Sequence, residues 1–258
     1  MKLHIERRGE TGIPLVLIHG WGFHSGVWGT LAAALTSDIS LHLVDLPGHG
    51  RSPDPMPNCD LDETAATLAE ALPSQATWLG WSLGGLLALA AALARPESVG
   101  RLVLLASSPR FVAGPAWPHG IAPEVLDSLA LELGRNSSGT LSRFIALQCR
   151  GAANASRTAR LLTAAIREGP PARLSGLECG LAWLRATDLR PRLGQIRCPV
   201  RILLGERDTL VRPAVLPDIL AIRPDWTGAV LQGAGHAPFL TDPGELSNVL
   251  TGDLHDVA

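Results

Sequence analysis

The run Gly80-Trp81-Ser82-Leu83-Gly84 sets a serine between two glycines, each two residues away. A serine hydroxyl is a weak nucleophile unless a base takes its proton, and that base needs a third group to orient it. The run follows an apolar stretch of strand type and precedes an Ala/Leu-rich stretch of helical type, the setting in which G-x-S-x-G forms a sharp strand-to-helix turn. Such a turn pushes the serine out of the sheet. Glycines at 80 and 84 leave room where a side chain would strike the neighbouring strand or helix, and Gly85 extends that room. On such sheets the partners follow in the order serine, acid, histidine, each on a loop after a later strand. VRILLGERDTLV puts Asp208 just past a strand, and VLQGAGHAPFL puts His236 just past the last one. Ser82, Asp208 and His236 together would perform acyl transfer through a covalent serine ester.

Other acids compete for the orienting role. Glu206 shares the loop of Asp208, Asp188 falls at the end of a helical stretch, and Asp225 precedes the final strand, at the wrong edge of the sheet. Of the remaining histidines, His24 and His49 lie on loops at the catalytic edge and are candidates to line the site. His4, His42, His119 and His255 have no motif around them. An oxyanion needs two backbone N–H donors. Leu83, directly after the serine, supplies one; the loop His19-Gly20-Trp21-Gly22 supplies the other, assigned to Trp21, whose indole would wall the pocket. The loop Asp45-Leu46-Pro47-Gly48-His49-Gly50-Arg51-Ser52 lacks both the Lys-Ser/Thr ending of a P-loop and a G-x-G-x-x-G, so it reads as a tight structural turn. No H-E-x-x-H or other metal spacing occurs, and no cofactor is expected.

The elements that must carry these residues alternate. Apolar runs at Pro14–Ile18, Ile39–Val44, Ala76–Leu79, Arg101–Leu105, Val200–Leu204 and Ala229–Leu231 are separated by helical stretches, among them Leu61–Leu72 with Asp60 as its cap. Apolar strands between helices predict an α/β fold with a mostly parallel sheet covered on both faces. The rhythm breaks between the fourth and fifth of these runs. Pro123–Leu133, Thr140–Cys149, Ala155–Arg167 and Leu174–Ala186 read as consecutive helices, so residues 110–187 are expected to form a helical lid on a core of 1–109 and 188–258.

Composition sets the outer limits. Hydrophobic residues are 46% and charged residues 18% of 258, enough apolar material for a large core and too little charge for disorder. The formal net charge of -2 gives no field that would select nucleic acid or membrane as partner. Lys2 is the only lysine and tyrosine is absent. Cys59, Cys149, Cys179 and Cys198 are widely spaced with no C-x-x-C, so reduced thiols are expected rather than a disulfide or zinc site. The N-terminus MKLHIERRGE has no apolar signal-peptide region, and the longest apolar run, Leu83–Ala94, is too short to span a bilayer. The expectation is a soluble, cytoplasmic monomer.

HGWG, DLPGHGRS, GWSLGG, GERD and GAGHAPF, in this order, resemble the α/β-hydrolase superfamily along the whole chain. LHLVDLPGHGRS, WLGWSLGG, ASSPRF, RFIALQ and AGHAPF resemble more narrowly the pimeloyl-[acyl-carrier protein] methyl ester esterase family of biotin synthesis. That resemblance implies cleavage of the methyl ester of pimeloyl-acyl carrier protein to a carboxylate and methanol. By matched position it implies that Trp21, Ser82, Leu83 and His236 contact the reacting end, and that Phe144, Ile145, Ala146, Leu147 and Gln148 line a substrate channel. Ile145 stands where the family often has leucine. Between Arg135 and Arg167 lie six arginines (135, 143, 150, 157, 160 and 167) and no Asp or Glu. A basic lid suits an acidic carrier protein, with Arg143, Arg150, Arg157 and Arg160 as docking candidates; a solvated face in an Arg-rich chain is the plainer alternative. A general short-chain carboxylesterase, a lactonase or a carbon–carbon bond hydrolase would share the same triad. A non-catalytic binding protein of the same fold is disfavoured by the intact Ser, His and Asp set.

Overall fold

A computed structural model describes residues 2–35, 38–152 and 154–255. Seven strands, β1 Ile5–Arg8, β2 Ile13–Ile18, β3 Ile39–Val44, β4 Ala76–Trp81, β5 Val99–Leu105, β6 Val200–Gly205 and β7 Thr227–Leu231, form one sheet in the order β1-β3-β2-β4-β5-β6-β7. β1 runs antiparallel to β3, and the other pairings are parallel. The helices are α1 Gly29–Ala34, α2 Leu61–Ala71, α3 Leu83–Ala94, α4 Pro123–Leu133, α5 Ser137–Cys149, α6 Ala155–Arg167, α7 Leu174–Ala186, α8 Val215–Ile222, α9 Pro238–Thr241 and α10 Pro243–His255.

Because successive strand residues face opposite ways, the apolar runs feed two cores. Val16, Ile18 and Trp78 join a layer with α2, α3 and α8, whereas Leu15, Leu17, Leu79 and Trp81 join a layer with α1 and α10. α3 is buried on every side from Leu83 to Ala92, as a helix apolar all round must be. Each of its fully buried leucines contributes about 1.5–3 kcal/mol through lost water contact. The helix that begins at the serine turn is thus among the most firmly anchored in the molecule.

β1 escaped the sequence reading because IERR is no apolar run: it is a half-exposed edge strand whose charges discourage pairing with a second sheet. α2 begins as expected, with the Asp60 carboxylate accepting from Glu63 N–H at 2.7 Å. α5 starts three residues before the predicted Thr140, because Asn136 caps it by accepting from Gly139 N–H at 2.9 Å. The four helices α4 to α7 lie in the chain between β5 and β6. Arg110 and Asp188, at the two ends of this stretch, form an isolated bridge, and the Arg110 guanidinium donates to Asp188 at 2.9 Å. Hydrogen bonds from Arg190 lead the interactions that hold the same carboxyl below the ordinary aspartate range, down to about 2.

One cysteine expectation is overturned. Cys59 and Cys179 form a disulfide with Cα atoms 5.7 Å apart, joining the segment before α2 to the middle of α7. The Trp183 indole N–H donates to the Cys59 carbonyl at 2.7 Å and holds the same two segments together. Sequence spacing carries no signal of a pair 120 residues apart, because packing of α7 on the core brings them together. Cys149 and Cys198 are free thiols, each pushed up to about 11 by burial and so unreactive at neutral pH.

Candidate active site

The serine turn is built by exclusion. Ser82 sits at φ 54°, a conformation that non-glycine residues rarely adopt. A Cβ on Gly80 would lie 2.4 Å from the Gly85 Cα, and one on Gly84 would lie 2.3 Å from the Ile18 carbonyl oxygen. Glycine is thus required at both positions by close approach. Ser107, which the sequence did not single out, braces the turn by donating its hydroxyl to the Ser82 carbonyl at 2.7 Å.

The other two members arrive from separate strands. His236 Nε2 lies 3.0 Å from the Ser82 hydroxyl oxygen, and His236 Nδ1 lies 2.7 Å from Asp208 Oδ2. The second carboxylate oxygen of Asp208 accepts from Leu210 N–H at 2.8 Å and Val211 N–H at 3.0 Å, which fixes the plane of the carboxylate. All three side chains are buried: Ser82 is 4% exposed, Asp208 3% and His236 1%. The arrangement lets Nδ1–H donate to Asp208 while Nε2 accepts the serine proton. Glu206, the rival acid, turns away; it accepts from Gly233 N–H at 2.9 Å and steadies the histidine loop through its backbone. Asp188 is engaged at the ends of the helical stretch, and Asp225 pairs with Arg223 at 2.6 Å.

Leu83 opens α3, so its N–H belongs to the first turn, where amides have no partner within the helix. Around Trp21 the neighbouring amides are engaged: Gly22 N–H donates to His49 Nε2 at 3.2 Å and Phe23 N–H to the Gly20 carbonyl at 3.3 Å. The Trp21 indole donates to the Leu177 carbonyl on α7 at 2.8 Å and meets Phe144 edge-on at 4.9 Å. A Cβ on Gly180 would lie 2.7 Å from the Trp21 ring and 2.9 Å from Leu83. α7 therefore rests directly on the two residues expected to hold the oxyanion.

The loops beneath are held by two buried histidines. His19 Nδ1 bonds the Gly20 carbonyl at 2.7 Å while its Nε2 accepts from Leu46 N–H at 3.0 Å. His49 does the same between the Pro47 carbonyl, at 2.9 Å, and Gly22 N–H. Asp45 accepts from Ser25 N–H at 2.6 Å and Arg51 N–H at 2.9 Å, so the DLPGHGRS loop is the tight turn anticipated. His24 caps a 3-10 turn by accepting from Gly26 N–H at 3.0 Å. Each ring that accepts an N–H at Nε2 must be neutral. Burial, with His49 beside it, pushes His19 down to about 3, and burial pushes His49 down to about 4.

Acid should loosen this edge. Below the ordinary histidine value of about 6.5 the unfolded chain takes up protons that the folded rings refuse. The stability they contribute is complete above that value and falls as pH drops through it, by about 1.4 kcal/mol per pH unit per ring. The fall continues to about 4 for His49 and about 3 for His19. A melting series from about pH 7.5 to about pH 4.5 should show Tm declining throughout the acid half. A flat Tm there would mean that these rings are not held neutral.

Helical periodicity divides the five expected channel residues. Phe144 and Gln148 are buried, Phe144 against Trp21, and Ile145 is buried in the opposite core layer. Ala146 and Leu147 instead line an open surface groove of about 560 Å3 between α5 and α6, together with Arg143, Arg150, Ala155, Ser156 and Ala159, and none of the triad residues lines it. Arg143 pairs with Glu132, whereas Arg150, Arg157 and Arg160 are exposed and have no acidic partner among the described residues.

A strand-end serine on a glycine-flanked turn, an acid and a histidine on later loops, and helices laid across them define a hydrolase architecture. The chain belongs to the alpha/beta hydrolase family, whose model matches residues 15–249. Its sequence is similar to the pimeloyl-[acyl-carrier protein] methyl ester esterases of Photobacterium profundum (43% identity over 93% of each chain) and Edwardsiella ictaluri (42% identity over 89% of this chain and 88% of the relative). In fold it resembles a bromoperoxidase from Bacillus anthracis, with TM-score 0.85, 20% identity and coverage of 96% of this chain and 94% of that one. MenH from S. aureus is similar at TM-score 0.77 and 20% identity over 98% of each chain.

Proposed function

We propose that this protein is a serine carboxylesterase that hydrolyses the methyl ester of pimeloyl-acyl carrier protein in biotin synthesis, with Ser82, His236 and Asp208 as its triad. The observation that carries the chemistry is the continuous hydrogen-bond chain from the Ser82 hydroxyl through His236 to Asp208. Support for the substrate comes from relatives of that name at 40–43% identity along nearly the whole chain.

In this mechanism His236 Nε2 takes the Ser82 proton as the oxygen attacks the ester carbonyl, and Asp208 stabilises the imidazolium. The Leu83 and Trp21 N–H groups hold the oxyanion. On collapse the carbon–oxygen bond to methanol breaks and the His236 proton goes to the departing alkoxide. Water then gives a proton to His236 and attacks the acyl-enzyme; collapse releases the carboxylate and returns the proton to Ser82. With the hydroxyl buried, helices α4 to α7 act as a lid that must move to admit substrate. The substrate rides on an acidic carrier protein, and we take the enzyme to be cytoplasmic and to act as a monomer. Among the described residues no helix is long and apolar enough to cross a membrane. The open groove between α5 and α6, with Arg143 and Arg150 at its walls and Arg157 and Arg160 on α6, suits an acidic carrier.

The test compares turnover of the carrier-linked methyl ester with that of p-nitrophenyl butyrate. A far higher kcat/KM on the carrier ester supports the assignment; turnover of the small ester alone leaves a general carboxylesterase. For docking, Arg157→Glu with Arg160→Glu is cleaner than any change at Arg143, whose reversal would set a carboxylate against Glu132. The double reversal is expected to raise KM for the carrier ester about tenfold or more while sparing the small ester. Equal loss on both substrates would remove the docking role.

A further inference from the structure

In the sheet, β5 and β6 separate β4 from β7. At the usual strand spacing this places the end of β7 about 14 Å from the end of β4. His236, which follows β7, must be carried back across that distance to reach Ser82. Asp208 holds one ring nitrogen, but a ring held at one point still moves with its backbone. The backbone is held from the serine turn itself: the Trp81 indole N–H donates to the His236 carbonyl at 2.7 Å.

Trp81 is fully buried and lies in the core layer of Leu79, opposite that of Leu83. Its ring meets Phe239 edge-on at 4.9 Å, Phe23 at 5.0 Å and the His236 ring at 5.8 Å. Cε3 of the same ring would lie 3.1 Å from a Cβ on Gly20. One indole, carried by the residue before Ser82, therefore touches the loop of Trp21 and the histidine loop.

We infer that Trp81 is a positioning residue for the esterase chemistry proposed above: its N–H fixes the main chain of His236, and through it the distance from Nε2 to the Ser82 hydroxyl. A displacement of about 1 Å at a catalytic group can cost about 100-fold. The histidine must hold its place through two proton transfers in each half-reaction.

Two variants separate the N–H from the bulk of the ring. Trp81→Phe removes both the N–H and part of the ring. Replacing Trp81 by β-(3-benzothienyl)alanine keeps the fused rings and puts sulfur in place of N–H. Readouts are kcat and KM on p-nitrophenyl butyrate, Tm, and the downfield proton NMR signal of His236 Nδ1–H in the resting enzyme. The isostere is expected to lose about 10- to 100-fold in kcat with KM within about twofold, and to shift or broaden the signal. Retention of kcat by the isostere overturns the inference, whatever Trp81→Phe does, because filling space would then suffice. Loss of kcat with an unmoved signal overturns it as well. A wild-type protein with no esterase activity would refute the proposed function instead, and the NMR signal would still test whether Trp81 holds the histidine.

Discussion

Ser82→Ala should lower kcat about 10⁶-fold on any ester the protein turns over, with Tm almost unchanged. The change removes one hydroxyl, whose structural contact is with His236 Nε2, and leaves the backbone of the turn, its brace from Ser107 and the glycines around it intact. Alanine meets the same cost as serine at φ 54°, so the comparison isolates chemistry from folding. What survives is expected to be about 10³-fold above water, from the oxyanion donors and substrate positioning alone. Steady-state turnover of p-nitrophenyl butyrate, paired with labelling by a fluorophosphonate probe, checks both halves. A variant that still labels, or retains more than about 1% of kcat, would place the nucleophile elsewhere.

Asp208→Asn should cost about 10⁴-fold in kcat while the protein stays folded. An asparagine oxygen can still accept from Leu210 and Val211 N–H, so the loop keeps its anchors. The amide NH2 then faces His236 Nδ1, which must become the acceptor. The ring proton moves to Nε2, and the ring can no longer take the Ser82 proton. Glu206→Gln is the control: it keeps an oxygen for Gly233 N–H and should change kcat less than about threefold. The reverse ranking of the two variants in a side-by-side kinetic comparison would reassign the acid to Glu206.

The sequence by itself determined the layered α/β architecture and the candidate triad, for local reasons. Apolar runs between helical stretches specify buried parallel strands, and the Gly80 and Gly84 spacing around Ser82 records a steric demand that only glycine meets. Order along the chain then placed Asp208 and His236 on later loops. Helix ends were legible where a cap was, as at Asp60, and blurred where the cap was unremarked, as at Asn136. β1 was not legible, because an edge strand exposed along half its length has no apolar signature.

Tertiary structure decided what depends on distance across the fold. Two carboxylates on one loop, Asp208 and Glu206, point to different partners, and the backbone hydrogen bonds from residues 206 and 207 to residues 231 and 234 set those directions. The Cys59–Cys179 disulfide, the neutral pair His19 and His49, and the indole of Trp81 under His236 all join residues that no spacing rule connects. The five residues 144–148 are contiguous in sequence yet face different surroundings, because a helix turns each by about 100° from the last. Local pattern reports what a residue's neighbours in the chain require. Which buried donor meets which acceptor is settled when distant segments pack, since most buried polar groups find their partners among those that packing brings within reach.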